Sequence, residues 1–403
     1  MNKILFVTYG GGHVNIIRHI YKALYNKDLE IQVIGLTSSV KILDRDGIPH
    51  KKISDYISIF DNSEEIIRHG EELAKLNYDK NSGLDYNDIV AYLGFSFYDL
   101  ISYEGSYEKA YDIFSKYGRK IFNPINTMEK IIKLENPDVV VLTSSMRMEK
   151  AAGIVANSLG IPVVRILDKL CDKNIIPYKC KACVMNEKAK SNLLKNNNIE
   201  KKDIIVTGQP DFEDSLKLHS DKLDIIMKEL QVNKYKKIIS FMSQPSQLDI
   251  EKIVEGLFEI SNKNHDYLYI IKIHPNENVE DYFKILKEKI SYNLKIVKYE
   301  AQYIVAISDV ILTKYSTVGL LAALMGKPLI KLNILNEKYS IDYSEYGIAY
   351  EVSNFIDLED KISKLIDINS IESQKLKHAR EELKNERNAA NNIAHVIRES
   401  VKI

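Results

Sequence analysis

Short apolar, β-branched runs alternate along most of the chain with stretches whose apolar residues recur every three or four positions. Lys3–Thr8 is a six-residue apolar run that predicts a strand, and it ends in Tyr9-Gly10-Gly11-Gly12-His13. Ile16, Ile17, Ile20 and Leu24 then fall on one face of a predicted helix. Further strands are predicted at Glu30–Gly35, Asp138–Thr143, Ile161–Leu167 and Ala182–Met185, with a helix from about Met148 to Leu159. After about residue 220 the series restarts. Strands are predicted at Lys237–Met242, Tyr267–Ile273, Leu294–Val297, Val310–Thr313, Pro328–Leu332 and Gly347–Val352, with helices over about 249–261, 279–290 and 316–325 between them. Continuous apolar strands separated by helices predict parallel sheets covered on both faces.

Two such βα series imply two Rossmann-like domains in tandem, residues 1–210 and 221–385, joined by a hinge near Gly208–Ser220. The charged helical stretch at 386–403 is expected to pack back on the first domain. Residues 55–130, tyrosine-containing and without clean strand signals, read as helices and loops inserted in that domain. A length of 403 residues suits two domains, each able to bury a core.

Composition then narrows the function. Lys plus Arg and Asp plus Glu both number 56, and this balance argues against a nucleic-acid binder, whose affinity rests on excess positive charge. No apolar run approaches the roughly 20 residues of a membrane span. The strand pattern begins at the third residue, leaving no room for a signal peptide, and three cysteines make no disulfide framework. A cytoplasmic enzyme is the expectation. Cys180-Lys181-Ala182-Cys183, with Cys171 nearby, lacks a fourth ligand at zinc-site spacing, so these read as buried thiols and no metal is expected.

The candidate chemistry lies in turns at the carboxyl ends of predicted strands, where open α/β sheets bind ligands. In the first domain, Gly11 and Gly12 allow close backbone approach at a helix start. His13 either opens that helix structurally or serves as a base, since imidazole titrates near neutrality. Asp168, just past a strand, and Glu104 are further acidic candidates. In the second domain, Ser308–Gly319 reads strand, hydroxyl-rich loop, helix, then Met325-Gly326-Lys327-Pro328 enters the next strand. Tyr315, Ser316 and Thr317 suit a phosphate, although Ser316 could also serve only as a helix cap. His274-Pro275 ends a strand at the same edge, where the His could donate to a leaving phosphate or lie in a structural turn. Ser243-Gln244-Pro245-Ser246 forms a third such loop.

These pieces resemble known families. The glycine turn ending in Gly12-His13 resembles the first turn of GT-B glycosyltransferases, notably the peptidoglycan N-acetylglucosaminyltransferase. Asn136–Val141 followed by Ile161–Val164, and Val206-Thr207-Gly208-Gln209-Pro210, resemble segments of nonhydrolysing UDP-N-acetylglucosamine 2-epimerases. The 308–330 run and the His274-Pro275 pair resemble the donor motifs of capsule-polysaccharide enzymes, polyol-phosphate transferases and bacterial sialyltransferases. The resemblance implies an α/β GT-B fold, two Rossmann-like domains facing an interdomain cleft, with acceptor on the first and nucleotide-sugar donor on the second. It implies a phosphate site at Gly11, Gly12, Ser243, Gln244, His274, Pro275, Tyr315, Ser316 and Thr317. Gln302 and Tyr303 resemble the loop that reads the nucleotide base.

Within that superfamily the residues favour a transferase. Where the epimerases carry His-Gly-Asp after the Val-rich strand, this chain has Thr143-Ser144-Ser145. Where they carry Glu after the Ile-Pro strand, it has Leu167, with Asp168 one place on. Their Gly-Gly-x-x-Glu-Glu segment is Thr317–Ala322 here, without the acid that grips the ribose. The two glutamates, eight positions apart, of retaining transferases are also absent. An inverting glycosyltransferase is therefore expected, moving sugar from a nucleotide-activated donor to a surface-glycan or lipid-linked acceptor, with no further cofactor. A lipid-linked acceptor would draw the enzyme to a membrane surface. A nucleotide-sugar epimerase or hydrolase, and a GT-B protein that binds without turnover, are the alternatives.

Overall fold

A computed structural model describes residues 2–25, 28–78, 83–144, 146–171, 174–245, 249–287, 289, 291–338 and 342–401. Ser145, Ser246 and Ile290, which figure in the segments above, lie outside the described residues. The chain divides into two compact units, Met1–Glu213 with Glu386–Ile403, and Asp214–Asn385.

The first unit carries seven strands: β1 Asn2–Thr8, β2 Leu29–Gly35, β3 Lys51–Lys52, β4 Val139–Leu142, β5 Val163–Ile166, β6 Lys181–Val184 and β7 Ile204–Val206. All pair in parallel in the order β3-β2-β1-β4-β5-β6-β7. The sheet buries both faces. Leu5 and Val7 join the core beneath the inserted helices, and Ile4 and Phe6 join the core beneath helix Gly12–Leu24. This is why the strands read as unbroken apolar runs rather than alternating ones.

The second unit repeats the plan with β8 Lys237–Met242, β9 Tyr267–Lys272, β10 Leu294–Val297, β11 Val310–Thr313, β12 Leu329–Leu332 and β13 Tyr350–Val352. The order is β10-β9-β8-β11-β12-β13, again parallel throughout. Each sheet thus reverses its winding once, between β1 and β4 and between β8 and β11. A crevice opens outside the strand carboxyl ends at such a reversal.

Residues 55–130 are mostly helical: Ser63–Asn77, Tyr86–Glu104, Tyr107–Tyr117 and Ile125–Glu135. Helix Tyr86–Glu104 is buried from Asp88 to Phe97 without interruption, as expected of a helix that is apolar all round. It crosses helix Ser63–Asn77 closely. A Cβ on Gly70 would lie 2.1 Å from the Val90 carbonyl, and one on Gly94 would lie 2.1 Å from the Ile66 carbonyl. The chain from Ile371 to Val401 forms two helices, Ile371–Glu381 and Ala389–Val401. The latter packs in the first unit, its Ile393, Val396 and Ile397 sharing a core with Ile16, Ile17 and Ile20. No helix among the described residues is long and apolar enough to cross a membrane.

Candidate functional site

At the first reversal, β1 runs into the glycine turn. A Cβ on Gly10 would fall 1.9 Å from Ser38 Oγ, and Gly11 has φ of +70°, so the turn requires glycine at both positions. Gly12 is exposed, and a Cβ there would touch nothing. His13 follows in the first turn of helix Gly12–Leu24, half-buried, and its Nδ1 is buried with no hydrogen-bond partner among the described residues.

The neighbouring strand end is held by a residue that the sequence did not single out. Glu149, in the first turn of helix Arg147–Ser158, is fully buried. Its Oε1 accepts from Tyr9 N at 3.1 Å, and its Oε2 accepts from Thr143 N at 2.7 Å and Ser144 N at 2.6 Å. Thr143 Oγ1 donates to the same carboxylate at 3.1 Å. One carboxylate therefore ties the end of β1 to the end of β4 across the reversal. Tyr9 extends the clamp: its hydroxyl accepts from Met148 N at 3.1 Å and lies 3.4 Å from the Tyr92 hydroxyl. Burial pushes the Tyr9 phenol well above its ordinary range, so it stays neutral. The Arg147 guanidinium stacks 4.7 Å from the Tyr9 ring centroid.

Asp168 lies two residues past β5, one third exposed, with Lys169 Nζ at 3.4 Å. Glu104 is the last residue of its helix, before left-handed Gly105, and makes no ion pair or side-chain hydrogen bond among the described residues. Neither is brought into contact with His13.

The second reversal has a similar bridge. Gln244, following β8, accepts with Oε1 from Tyr315 N, following β11, at 3.0 Å. Thr313 Oγ1 donates to Met242 O at 3.3 Å. Lys314 is buried between them, its Nζ 2.5 Å from Asp249 Oδ1 and 3.3 Å from Glu337 Oε2. Ser316 Oγ accepts from Val318 N at 3.3 Å, just ahead of helix Val318–Leu324, whose N-cap residue is Thr317, exposed at the helix start.

One strand over, β9 delivers His274. Glu277 organises this turn, with Oε2 accepting from His274 N at 2.7 Å and Oε1 accepting from Ser243 Oγ at 3.1 Å and Tyr282 OH at 2.9 Å. Ser243 and Tyr282 are also hydrogen-bonded to each other. Asn276 N donates to His274 Nδ1 at 3.2 Å. That bond makes Nδ1 an acceptor and places the proton on Nε2 in the neutral ring. Burial, and then the Lys272 ammonium, hold the imidazole below its ordinary range. Lys272 itself is buried at the end of β9 and its ammonium is lowered chiefly by desolvation. Pro275 is exposed beside them.

The structure therefore brings Ser243, Gln244, His274 and Tyr315 to one sheet edge, joined through Glu277 and Gln244. The segment at Gln302 and Tyr303 differs from the expected loop. It is a helix, Ala301–Ile307, capped at Glu300. Tyr303 is 1% exposed, with Lys222 Nζ 5.1 Å from its ring centroid, so the ring is a core residue and offers no open face to a base. Gln302 stays half-buried, donating to Glu300 at 3.3 Å.

Cys183 is buried and Cys180 partly so, and burial pushes both thiols up to about 12. No three His, Cys, Asp or Glu side chains among the described residues are grouped to hold a metal ion.

No family model and no curated protein matches the chain. Solved structures do. The UDP-GlcNAc 2-epimerase of Neisseria meningitidis, bound to UDP-GlcNAc, matches with a TM-score of 0.58 at 16% identity, covering 99% of both chains. The UDP-GlcNAc 2-epimerase of Methanocaldococcus jannaschii, in complex with UDP-GlcNAc and UDP, gives 0.57 at 17%, covering 98% of this chain and 99% of that one. The glycosyltransferase SnogD of Streptomyces nogalater gives 0.53 at 12%, covering 99% of both. The chain has the GT-B fold, which nucleotide-sugar epimerases and glycosyltransferases share.

Proposed function

We propose that the protein is an inverting glycosyltransferase that moves a sugar from a nucleotide-activated donor to a surface-glycan acceptor. The second unit holds the donor and the first the acceptor. The state of the side chains at the first reversal carries this reading. Glu149 is fully engaged by backbone and hydroxyl donors, whereas His13 keeps a buried Nδ1 with no partner among the described residues, beside the open backbone of Gly12. An imidazole nitrogen without a partner among the described residues and a Glu149 carboxylate already engaged suit one proton abstraction from an acceptor hydroxyl. They suit less well the paired acid and base of an epimerase.

In this scheme His274 donates through Nε2–H to the departing phosphate, and Lys272 adds positive charge at the same strand end. Charge develops on that phosphate as the glycosidic bond breaks, so fixed donors there stabilise the transition state. Ser316, Thr317 and the amides of the loop before helix Val318–Leu324 complete the phosphate contacts, and Gln302 lies at the nucleotide base.

The second reading is a nucleotide-sugar epimerase, favoured by the whole-chain likeness to two structures whose ligand is UDP-GlcNAc. A thermal-shift panel with UDP, CDP, CMP, GDP and dTDP tests the shared premise, since ligand at about 100 times its Kd adds about 2.7 kcal/mol. The sugar form of the stabilising nucleotide is then incubated with and without glycan acceptor. Consumption that requires acceptor supports the transferase, and conversion without it supports the epimerase. No stabilisation by any nucleotide would remove both.

A further inference from the structure

An excess of cationic side chains lies at the other end of the second sheet. A cavity of about 620 Å³ opens beside Lys237 at the amino end of β8, Asp309 just before β11 and Pro328 just before β12. These are the strand ends opposite those that carry Ser243, His274 and Tyr315. Five cationic side chains line it, Lys237, Lys327, Lys377, Arg380 and Lys384, against two carboxylates, Asp309 and Glu381.

The acids neutralise the cations only in part. Asp309 is committed to Lys237, with Oδ1 to Nζ at 2.9 Å. Glu381 is exposed at the end of helix Ile371–Glu381. Lys327 Nζ donates to Ala306 O at 2.7 Å. Arg380 is the decisive group. Its Nη1 is buried, and the side chain has neither a hydrogen-bond partner nor an ion-pair partner among the described residues. Burial alone depresses its guanidinium, with no opposing carboxylate among the causes. A desolvated guanidinium without an acceptor is costly to keep, and a planar fork of donors matches the oxygens of a phosphate. Leu324, Leu365 and Ile366 give the lining an apolar part, and the volume lies within the range of small-molecule sites.

We propose that this cavity is a second anion site, taking a small phosphorylated molecule whose phosphate lies on Arg380 and Lys327 and whose organic body rests on Leu324 and Ile366. The site is separate from the nucleotide-sugar reading and does not depend on it. A ligand here would bridge the β11–β12 layer to helices Phe355–Ile366 and Ile371–Glu381, and so stabilise the second unit.

The test is calorimetric titration of inorganic pyrophosphate into the full chain, at low and raised salt. Arg380→Gln should weaken one binding component by about tenfold or more, as expected for loss of a charge-assisted bond. His274→Ala should keep that component, which separates it from any pyrophosphate bound at the other sheet edge. Because Arg380 is partly buried, the double variant Lys377→Gln, Lys384→Gln, confined to exposed positions, provides the control for folding and should weaken the same component. Unchanged affinity and stoichiometry in both variants would overturn the proposal, as would wild-type protein that takes up no pyrophosphate.

Discussion

At the scale of single residues, the roles proposed for the two histidines would separate binding from chemistry. His274 is prepared as a neutral donor by Asn276 N on its Nδ1 and by burial beside Lys272. His274→Ala should therefore weaken nucleotide binding by about tenfold or more, since hydrogen bonds to charged groups contribute about 1.5–3 kcal/mol. Isothermal titration with the stabilising nucleotide reads this directly, and equal affinity in a folded variant removes His274 from the site. His13 should behave in the opposite way. Loss of a general base costs about a hundredfold or more in turnover, so His13→Ala should lower kcat while donor affinity stays nearly constant. Full turnover in that variant would sink the assignment. The turns that present both residues were legible in the sequence because glycine and proline mark them. Glu149 and Glu277 were not. Each acts by gathering backbone amides from another strand end, and only the fold brings those amides together.

At the scale of elements, the inserted helices show why residues 55–130 resisted reading. Amphipathic periodicity arises when one face of a helix meets water, and helix Tyr86–Glu104 is covered nearly all round. Its contact with Ser63–Asn77 depends on glycines that periodicity does not weigh. Eleven of the thirteen described strands, by contrast, were legible within about three residues, because parallel strands covered on both faces need continuous apolar runs, whereas the short edge strands β3 and β7 were not predicted. That same buried helix predicts an unusual pH response. Asp88 and Asp99 lie within it, and burial pushes both carboxyls up to about 6, against backbone amides of Ser54 and Thr127 that pull them down. In the unfolded chain an aspartate titrates near 3.9. Between about pH 4 and about pH 6 the folded state therefore holds more protons than the unfolded state, and these two groups make stability fall as pH rises through that window. Asp99→Asn keeps an acceptor for Thr127 N but cannot ionise. Urea midpoints measured from pH 4.5 to 7 should decline less in Asp99→Asn than in wild type, and parallel curves would contradict the assignment.

At the scale of the whole molecule, the second unit is an insertion in the first. The chain leaves the first unit at Glu213 and re-enters it at Glu386. The Glu213 carboxylate accepts from Asn388 N at 3.0 Å and Ala389 N at 2.8 Å, which anchors the start of the final helix. Carboxylates at helix N-termini satisfy amides that would otherwise lack partners. Asn392 Nδ2 donates to Thr207 O at 3.1 Å and Arg398 Nη2 to Ala23 O at 3.2 Å, fixing the helix along its length. The last stretch of chain thus completes the core under β1 and β4, with Ile397 fully buried against it. Ile397→Ala should cost about 2–5 kcal/mol, the usual range for truncating a buried aliphatic side chain. The loss should be local to one unit, because among the described residues that cluster draws on the first unit alone. Hydrogen exchange resolves this: amides of β1 and β4 should lose protection in the variant while those of β8 and β11 keep theirs. Equal loss in both sheets would mean that the two units unfold as one, and that the final helix stabilises the entire chain rather than the unit in which it is anchored.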